Sequence, residues 1–418
     1  MQGMTTCGVA AKTMLSLTVL AAAMAHARAE DEVQVVKILG AKEDNGAYVV
    51  NRSGGATKSD MALKDVPQTV NVISAAVIKE LHATSLQDVL KTVPGVGLST
   101  GDGQRDQVFI RGFTAIGDQF VDGFRDDALY FRDLSNIERL EVVKGPAAVL
   151  YGRGSSGGLV NRVTKKPGID INEFSLSLSD HAGRRGEIDL GRAGDTLAWR
   201  LTGAREKADS YRSQQSLDRT TLAPSMTVRL AADTKLLLQA DYLEDRRLTD
   251  FGIPSYNGRP VNVDRATYYG AANAGVADYS QSRVVSTAAT LTHAFSSSLS
   301  LRNGLRYCHY DLNRNNTNIS GNVNELAATM SLAHAKLARA EHGWSNQTEL
   351  TQKLATGPVR HELLYGVEFG QQGKDSFSNA AVVVATNVSI FNPVLPVADP
   401  ARLGARTDTF GTYKTQAA

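Results

Sequence analysis

Cysteine is nearly missing from this chain. Of 418 residues, only Cys7 and Cys308 carry a thiol. Cys7 lies in a segment that reads as a cleavable leader, so the mature chain would keep Cys308 alone. That excludes an intramolecular disulfide and a cysteine-based metal site. Long apolar runs are missing too. Past the leader there is no stretch of the roughly 18 apolar residues that marks a membrane-spanning helix. A helical membrane protein is excluded, whereas a β-barrel is not, because its strands alternate and give no hydropathy peak. Excess charge of one sign is absent, with 45 Lys+Arg against 43 Asp+Glu. The composition therefore carries no nucleic-acid footprint. The motif H-E-x-x-H does not occur, and the 8 histidines are scattered. Catalysis finds little support.

What is present begins with residues 1–29. Lys12 supplies positive charge, Met14–Met24 is an apolar core, and Ala27-Arg28-Ala29 is an A-x-A cleavage site. Together they predict a secretory signal peptide. Residues 30–64 are polar and turn-rich, and read as a flexible segment. One β-prone patch, Glu32–Ile38, interrupts them. Residues 65–168 predict a small α+β domain. Asp65–Ile73 reads as a strand with Pro67 near its start, where a missing N–H is tolerated. Ser74–Leu81 and Ser85–Thr92 read as helices capped by Ser74 and Ser85, with Asp88 placed to close a capping box. Val93-Pro94-Gly95-Val96 stops the second.

Val108–Pro167 is the densest stretch. Short β-type runs (Val108–Arg111, Gln119–Val121, Leu140–Lys144, Leu159–Thr164) are separated by turns rich in Gly and Asp. Gly152-Arg153-Gly154-Ser155-Ser156-Gly157 fits G-x-G-x-x-G, but a dinucleotide site needs a helix after it to meet the pyrophosphate. Here a strand follows, and the glycines read as a tight loop at positive φ. Five motifs come in one order: RGF at Arg111–Phe113, VDG at Val121–Gly123, NIERLEVVKGP at Asn136–Pro146, LYG at Leu150–Gly152 and GGLVNRVTKKP at Gly157–Pro167. This order resembles the plug domain of TonB-dependent outer-membrane receptors, in particular ferric-siderophore receptors.

From Ile171 onward period-2 segments dominate. Leu197, Trp199 and Leu201 alternate with Arg200 and Thr202. His361, Leu363, Tyr365, Val367 and Phe369 alternate with Glu362 and Glu368. Alternation alone suits a soluble sandwich or a barrel; the leader and the plug favour the barrel. Strands are expected near 172–180, 184–193, 196–206, 220–231, 234–245, 282–295, 298–312, 343–355 and 360–372. Ala327–Ala340 reads as an extra hairpin or a helical patch within a loop, and Gln371–Ala418 as a loop broken by Pro393, Pro396 and Pro400. The fold expected is an α+β plug followed by an incomplete transmembrane antiparallel β-barrel, about 9 of about 22 strands, with residues 169–418 as its wall.

The resemblance implies function as well. The chain would sit in the outer membrane of a Gram-negative bacterium, touching its lipid, and bind and import ferric siderophores of catecholate type. It would hold no cofactor, the Fe(III) travelling as a siderophore chelate. Energy would come from TonB and its inner-membrane complex, which would pair with Glu32, Val33, Gln34, Val35 and Val36 by strand addition. The plug loops would offer Arg105, Gly117, Asp118, Arg125, Tyr130, Phe131 and Arg132 to the cargo, since an anionic chelate asks for cations and rings. Plug cations Arg111, Arg139 and Lys144 would pair with wall carboxylates such as Glu349, Glu362 and Glu368, which share lumen parity with Glu187 and Asp189. The acidic run Asp122, Asp126, Asp127 misses the EF-hand pattern and reads as a solvated turn. Rival readings are a receptor of this architecture for cobalamin, haem, a nickel chelate or an oligosaccharide, a soluble secreted β-rich protein, and a nucleotide-binding enzyme.

Nine strands would leave two unpaired edges in lipid, which a bilayer does not tolerate. The chain is therefore expected to be a fragment that does not transport alone. Expressed as residues 1–418, it should give no heat-modifiable, protease-resistant band in the outer membrane; a folded, transporting product would overturn this.

Overall fold

A computed structural model describes residues 48–417, apart from Ala56, Asp60, Asp102, Arg153 and Ser155. The leader and the Glu32–Ile38 patch lie outside the described residues. The first unit is built from β1 (Thr69–Ser74), α1 (Ala75–Glu80), α2 (Leu86–Leu90), β2 (Gln119–Val121), β3 (Phe124–Arg125), β4 (Ile137–Lys144) and β5 (Gly158–Thr164). The five strands form one sheet in the order β1-β4-β5-β2-β3, with β5 and β2 parallel. Both helices start where the sequence places their caps. Ser74 Oγ accepts from the Val77 N–H, and Ser85 with Asp88 closes a capping box. The apolar face of α2, Leu86, Val89 and Leu90, is fully buried against Val108, Ile110, Leu140, Val142 and Val160. Each such side chain contributes about 1.5–3 kcal/mol of burial. On the other side of the sheet, Val143 packs with Phe120, Tyr151 and Leu159.

The RGF and VDG motifs have one physical origin. Ile110 pairs with Phe113 and Val121 with Phe124, so Arg111-Gly112 and Asp122-Gly123 are two-residue hairpin turns. Both residues of each turn lie at positive φ: 52° and 84° in the first, 49° and 84° in the second. That is the pattern of type I′ turns, which match the twist of the flanking strands.

The second unit is one antiparallel sheet of ten strands in sequential order. They are β6 (Ile171–Leu178), β7 (Arg184–Arg192), β8 (Leu197–Asp209), β9 (Ser216–Ala231), β10 (Thr234–Arg247), β11 (Tyr279–Ala294), β12 (Leu299–Asn324), β13 (Thr329–Thr356), β14 (Val359–Ser389) and β15 (Arg406–Ala417). Alternate residues face the plug, Arg200 and Thr202 among them, while Leu197, Trp199, Leu305, Tyr307, Trp344, Tyr365 and Phe369 are exposed on the opposite face. The sheet does not close on itself: β6 and β15 are its two edges.

Two expectations about the wall are corrected. Ala327–Ala340 is neither a separate hairpin nor a helical patch; from Thr329 it is the start of β13, laddered to β12. Its alanines favour helix locally, but pairing along a 26-residue neighbour overrides that weak preference. Gln371–Ala418 is not a loop either. β14 continues to Ser389, and β15 makes a tenth strand where nine were counted. The prolines confine the break to residues 390–405. These strand ends were hidden because they lack the strict apolar–polar alternation of a half-buried strand.

The close approach of β5 to β4 gives a test. Gly158 sits at φ 135°, and a Cβ there would run into the Val143 carbonyl oxygen. Gly158→Ala should cost about 2–4 kcal/mol from strain and overlap, read as a lower thermal midpoint for protease resistance of the plug. An unchanged midpoint would contradict this packing.

Candidate functional site

The plug is seated on the wall by buried charge. Asp133 stands on the plug segment before β4 and is almost wholly buried. Arg185 of β7 reaches it with both terminal nitrogens, at 2.8 and 3.0 Å, and Arg219 of β9 reaches it at 3.3 Å. Arg219 is itself held by Asp245 at 2.8 Å. Further along the seam, Asp126 meets Arg306 of β12 at 3.5 Å, besides Arg132 and Arg162 from the plug. Tyr130 donates its hydroxyl to Asp126 at 2.8 Å. Asp127 meets Lys374 of β14 at 3.0 Å. Lys165–Asp189 at 2.9 Å and Lys58–Glu349 at 3.1 Å run in the opposite sense.

Burial alone would push the carboxyls of Asp126 and Asp133 up. The surrounding guanidiniums outweigh it, Arg162, Arg132 and Arg306 for Asp126, and Arg185 and Arg219 for Asp133. Both are therefore held well below the usual carboxylate range. Burial, helped by Asp126, pushes the Tyr130 hydroxyl up.

The expected cation–carboxylate docking is largely reversed in sign. Arg111 donates to Thr69, Arg139 meets Glu141 on its own strand, and Lys144 donates to the Pro94 carbonyl. Glu368 accepts from Ser345 of the neighbouring strand, and Glu362 is exposed. Glu349 does meet a cation, but it is Lys58, from the segment that precedes the plug. The acidic run expected to be a solvated turn is instead part of the seam, with Asp126 buried. A signal for this was in the sequence: Arg185, Arg200, Arg219 and Arg306 all carry lumen parity on their strands. Buried cations there require acids opposite.

The loop residues expected to face cargo divide into two groups. Gly117 lines a pocket of about 320 Å³ between plug and wall, together with Ile116, Asp127 and Leu129 from the plug and Arg339, Glu341 and Lys374 from the wall. Arg125 lies beside it, donating to the Gly117 and Tyr151 carbonyls, 3.6 Å from Asp118 and stacked on Phe120. Arg105 sits near Gln107, at 3.4 Å. Tyr130, Phe131 and Arg132 are buried rather than outward-facing. Arg132 donates to the Asp126 and Ala128 carbonyls, and Phe131 lies under Arg247 at 3.9 Å. Their polarity serves the seam, because a charge in that position must be compensated.

The profile of the TonB-dependent Receptor Plug Domain matches residues 62–159. A plug domain of this family is therefore present, and the sheet that follows it matches part of the barrel wall of TonB-dependent receptors. It is similar to the catecholate siderophore receptor Fiu of Escherichia coli K12, at 28% identity over 395 residues, covering 85% of this chain and 51% of Fiu. It is also 30% identical to the metal-pseudopaline receptor CntO of Pseudomonas aeruginosa PAO1, covering 78% of this chain and 47% of CntO. The crystal structure of Fiu in its closed form superposes with a TM-score of 0.76 at 28% identity, covering 88% of this chain and 56% of Fiu. The Pseudomonas aeruginosa receptor FpvA bound to pyoverdine shares the fold, with a TM-score of 0.76 at 20% identity, covering 90% of this chain and 57% of FpvA. The chain spans about half the length of the curated relatives it matches. All of them are receptors, not enzymes.

The seam has a pH signature. A carboxyl depressed in the folded state contributes stability that is present above its unfolded value, near 4, and lost as pH falls below it. Plug seating should be flat from about pH 6 to 8 and weaken on acidification below about 4. Asp133→Asn leaves Arg185 to Glu187 and Glu206 and Arg219 to Asp245, and should cost about 1–3 kcal/mol, while flattening the acid limb of a melting-point-against-pH curve. An unaltered acid limb in the variant would remove Asp133 from the seam.

Proposed function

We propose that this chain is part of an outer-membrane receptor that binds a ferric siderophore and imports it with energy from TonB. The observation that carries the reading is the pocket between the plug loops and the wall. It is floored by the Gly117 turn and flanked by Arg339 and Lys374, with Arg125 anchored just behind. The plug that floors it is locked to the wall by charge. Such a pocket can bind an iron chelate on one side of the plug. Resemblance to Fiu favours a catecholate cargo, and the guanidinium and ammonium groups suit its anionic oxygens. The residues 32–36 would pair with TonB as an added strand, the leader would direct export, and no prosthetic group is needed, since Fe(III) arrives chelated.

A second reading keeps the architecture and changes the cargo. Asp127, Glu341 and Asp375 line the same pocket beside the cations. That mixture of signs suits a zwitterionic metal chelate, in line with the name of the relative CntO.

Val35→Pro separates binding from coupling, because it removes a backbone donor from the strand offered to TonB. In cells expressing the receptor in its natural form, chelate binding should persist and uptake of radioactive iron should be lost. Ferric catecholates and a metal–aminocarboxylate chelate, supplied in parallel, identify the cargo. Normal uptake by the variant would refute the coupling segment, and binding of neither chelate class would refute the receptor reading.

A further inference from the structure

On its wall side, the pocket between plug and wall holds a charge that is short of partners. Glu341 of β13 lines the pocket, yet it is only 6% exposed. Its Oε2 is buried and accepts no hydrogen bond among the described residues. Lys374, directly opposite on β14, approaches that oxygen at 3.3 Å, but it also serves Asp127 of the plug at 3.0 Å. One ammonium therefore stands between two carboxylates. Tyr310, the opposite neighbour on β12, is engaged elsewhere, its hydroxyl donating to the Leu129 carbonyl at 2.6 Å. A buried carboxylate oxygen without a donor is costly. The position asks for a donor from a molecule seated in the pocket.

Arg339 adds the opposite sign. It lies two residues before Glu341, on the same face of β13, and lines the same pocket. No carboxylate comes within ion-pair distance of it among the described residues. Two residues along a strand separate the guanidinium and the carboxylate by about 7 Å at their bases, and they do not pair with each other. Ser376, opposite Arg339 on β14, adds a hydroxyl. Ile116 and Leu129 face them from the plug as apolar surface. The pocket thus presents one cation and one anion side by side, each short of a partner.

We propose that the chelate bound here carries an ammonium group close to an anionic one, and that Glu341 selects for that ammonium. The ammonium donates to Glu341 Oε2 in a charge-assisted hydrogen bond, while the neighbouring anion lies against Arg339. Selection acts on the amine and not on the iron-binding groups, so it applies to catecholates and aminocarboxylates alike. The proposal rests on the receptor reading given above. A water molecule in place of the ammonium would also satisfy Glu341, but it would give no preference between amine-bearing and amine-blocked chelates.

The test titrates the receptor in its natural form, purified in mild detergent from the outer membrane, with matched iron chelates. One pair is ferric dihydroxybenzoyl-lysine and its ε-N-acetyl form. The other is ferric Nα,Nα-bis(carboxymethyl)lysine and its ε-N-acetyl form. Acetylation removes the positive charge and leaves the iron-binding groups as they were. In whichever pair binds, the free amine should bind about tenfold more tightly, the scale of one hydrogen bond to a charged group. Glu341→Gln should abolish that difference by weakening the free amine alone. A merely structural role for Glu341 would weaken both members together and leave their ratio intact. Equal affinity of the two members for the unaltered receptor, or an unchanged ratio in the variant, would overturn the proposal. The first comparison needs no variant and decides the matter if Glu341→Gln does not fold. Binding of neither pair would instead sink the receptor reading, so the two failures are told apart.

Discussion

The whole arrangement depends on one carboxylate, that of Asp133, held between two guanidiniums of the wall. A charge in that position is tolerable only when it is met at hydrogen-bond distance. Arg185 meets it through both terminal nitrogens and Arg219 through one. Separation would strip Asp133 of both its cations, while Arg185 and Arg219 would keep only the wall acids Glu187, Glu206 and Asp245. Asp126 repeats the theme nearer the pocket, where Arg306 crosses from the wall to join two plug arginines. The seam thus ties the loops beside the pocket to the strands that surround it.

Much of this was legible in the sequence, and for identifiable reasons. The helix caps at Ser74 and Ser85 are local chemistry, so both helices appear where their caps predict them. RGF and VDG are two-residue turns with glycine second, which is why they punctuate the strands so sharply. The alternation around Trp199 and Tyr365 reflects one face turned to the plug and the other exposed, and it fixed the facing of those strands. Where that two-sided pattern ends, the signal fades. The upper parts of β12, β13 and β14 are held by ladder bonds and by loops packed against them, such as Tyr269 donating to the Ile390 carbonyl. Their sequences therefore resemble loop or helix until the pairing is seen.

The site was less legible than the fold. Which of two charged residues docks with which is a matter of three-dimensional proximity, and a single chain carries no record of it. Tyr130 and Arg132 have the composition of a ligand-binding loop, but their groups are consumed by Asp126 and by nearby carbonyls. The wall residues of the pocket, Arg339 and Lys374, lie in segments whose strand character was masked. Their contribution could be seen only once β13 and β14 were traced to their full length.

The seam is also ordered along the chain, and this bears on how plug and wall come together. Asp133 finds Arg185 after 52 residues and Arg219 after 86, whereas Asp126 must wait 180 residues for Arg306 and Asp127 must wait 245 for Gln372. Contacts between sequence neighbours cost less loop-closure entropy and form sooner. The plug can therefore anchor to the first wall strands while later ones are still being added. The later strands of the described wall are then laid against a plug that is already seated.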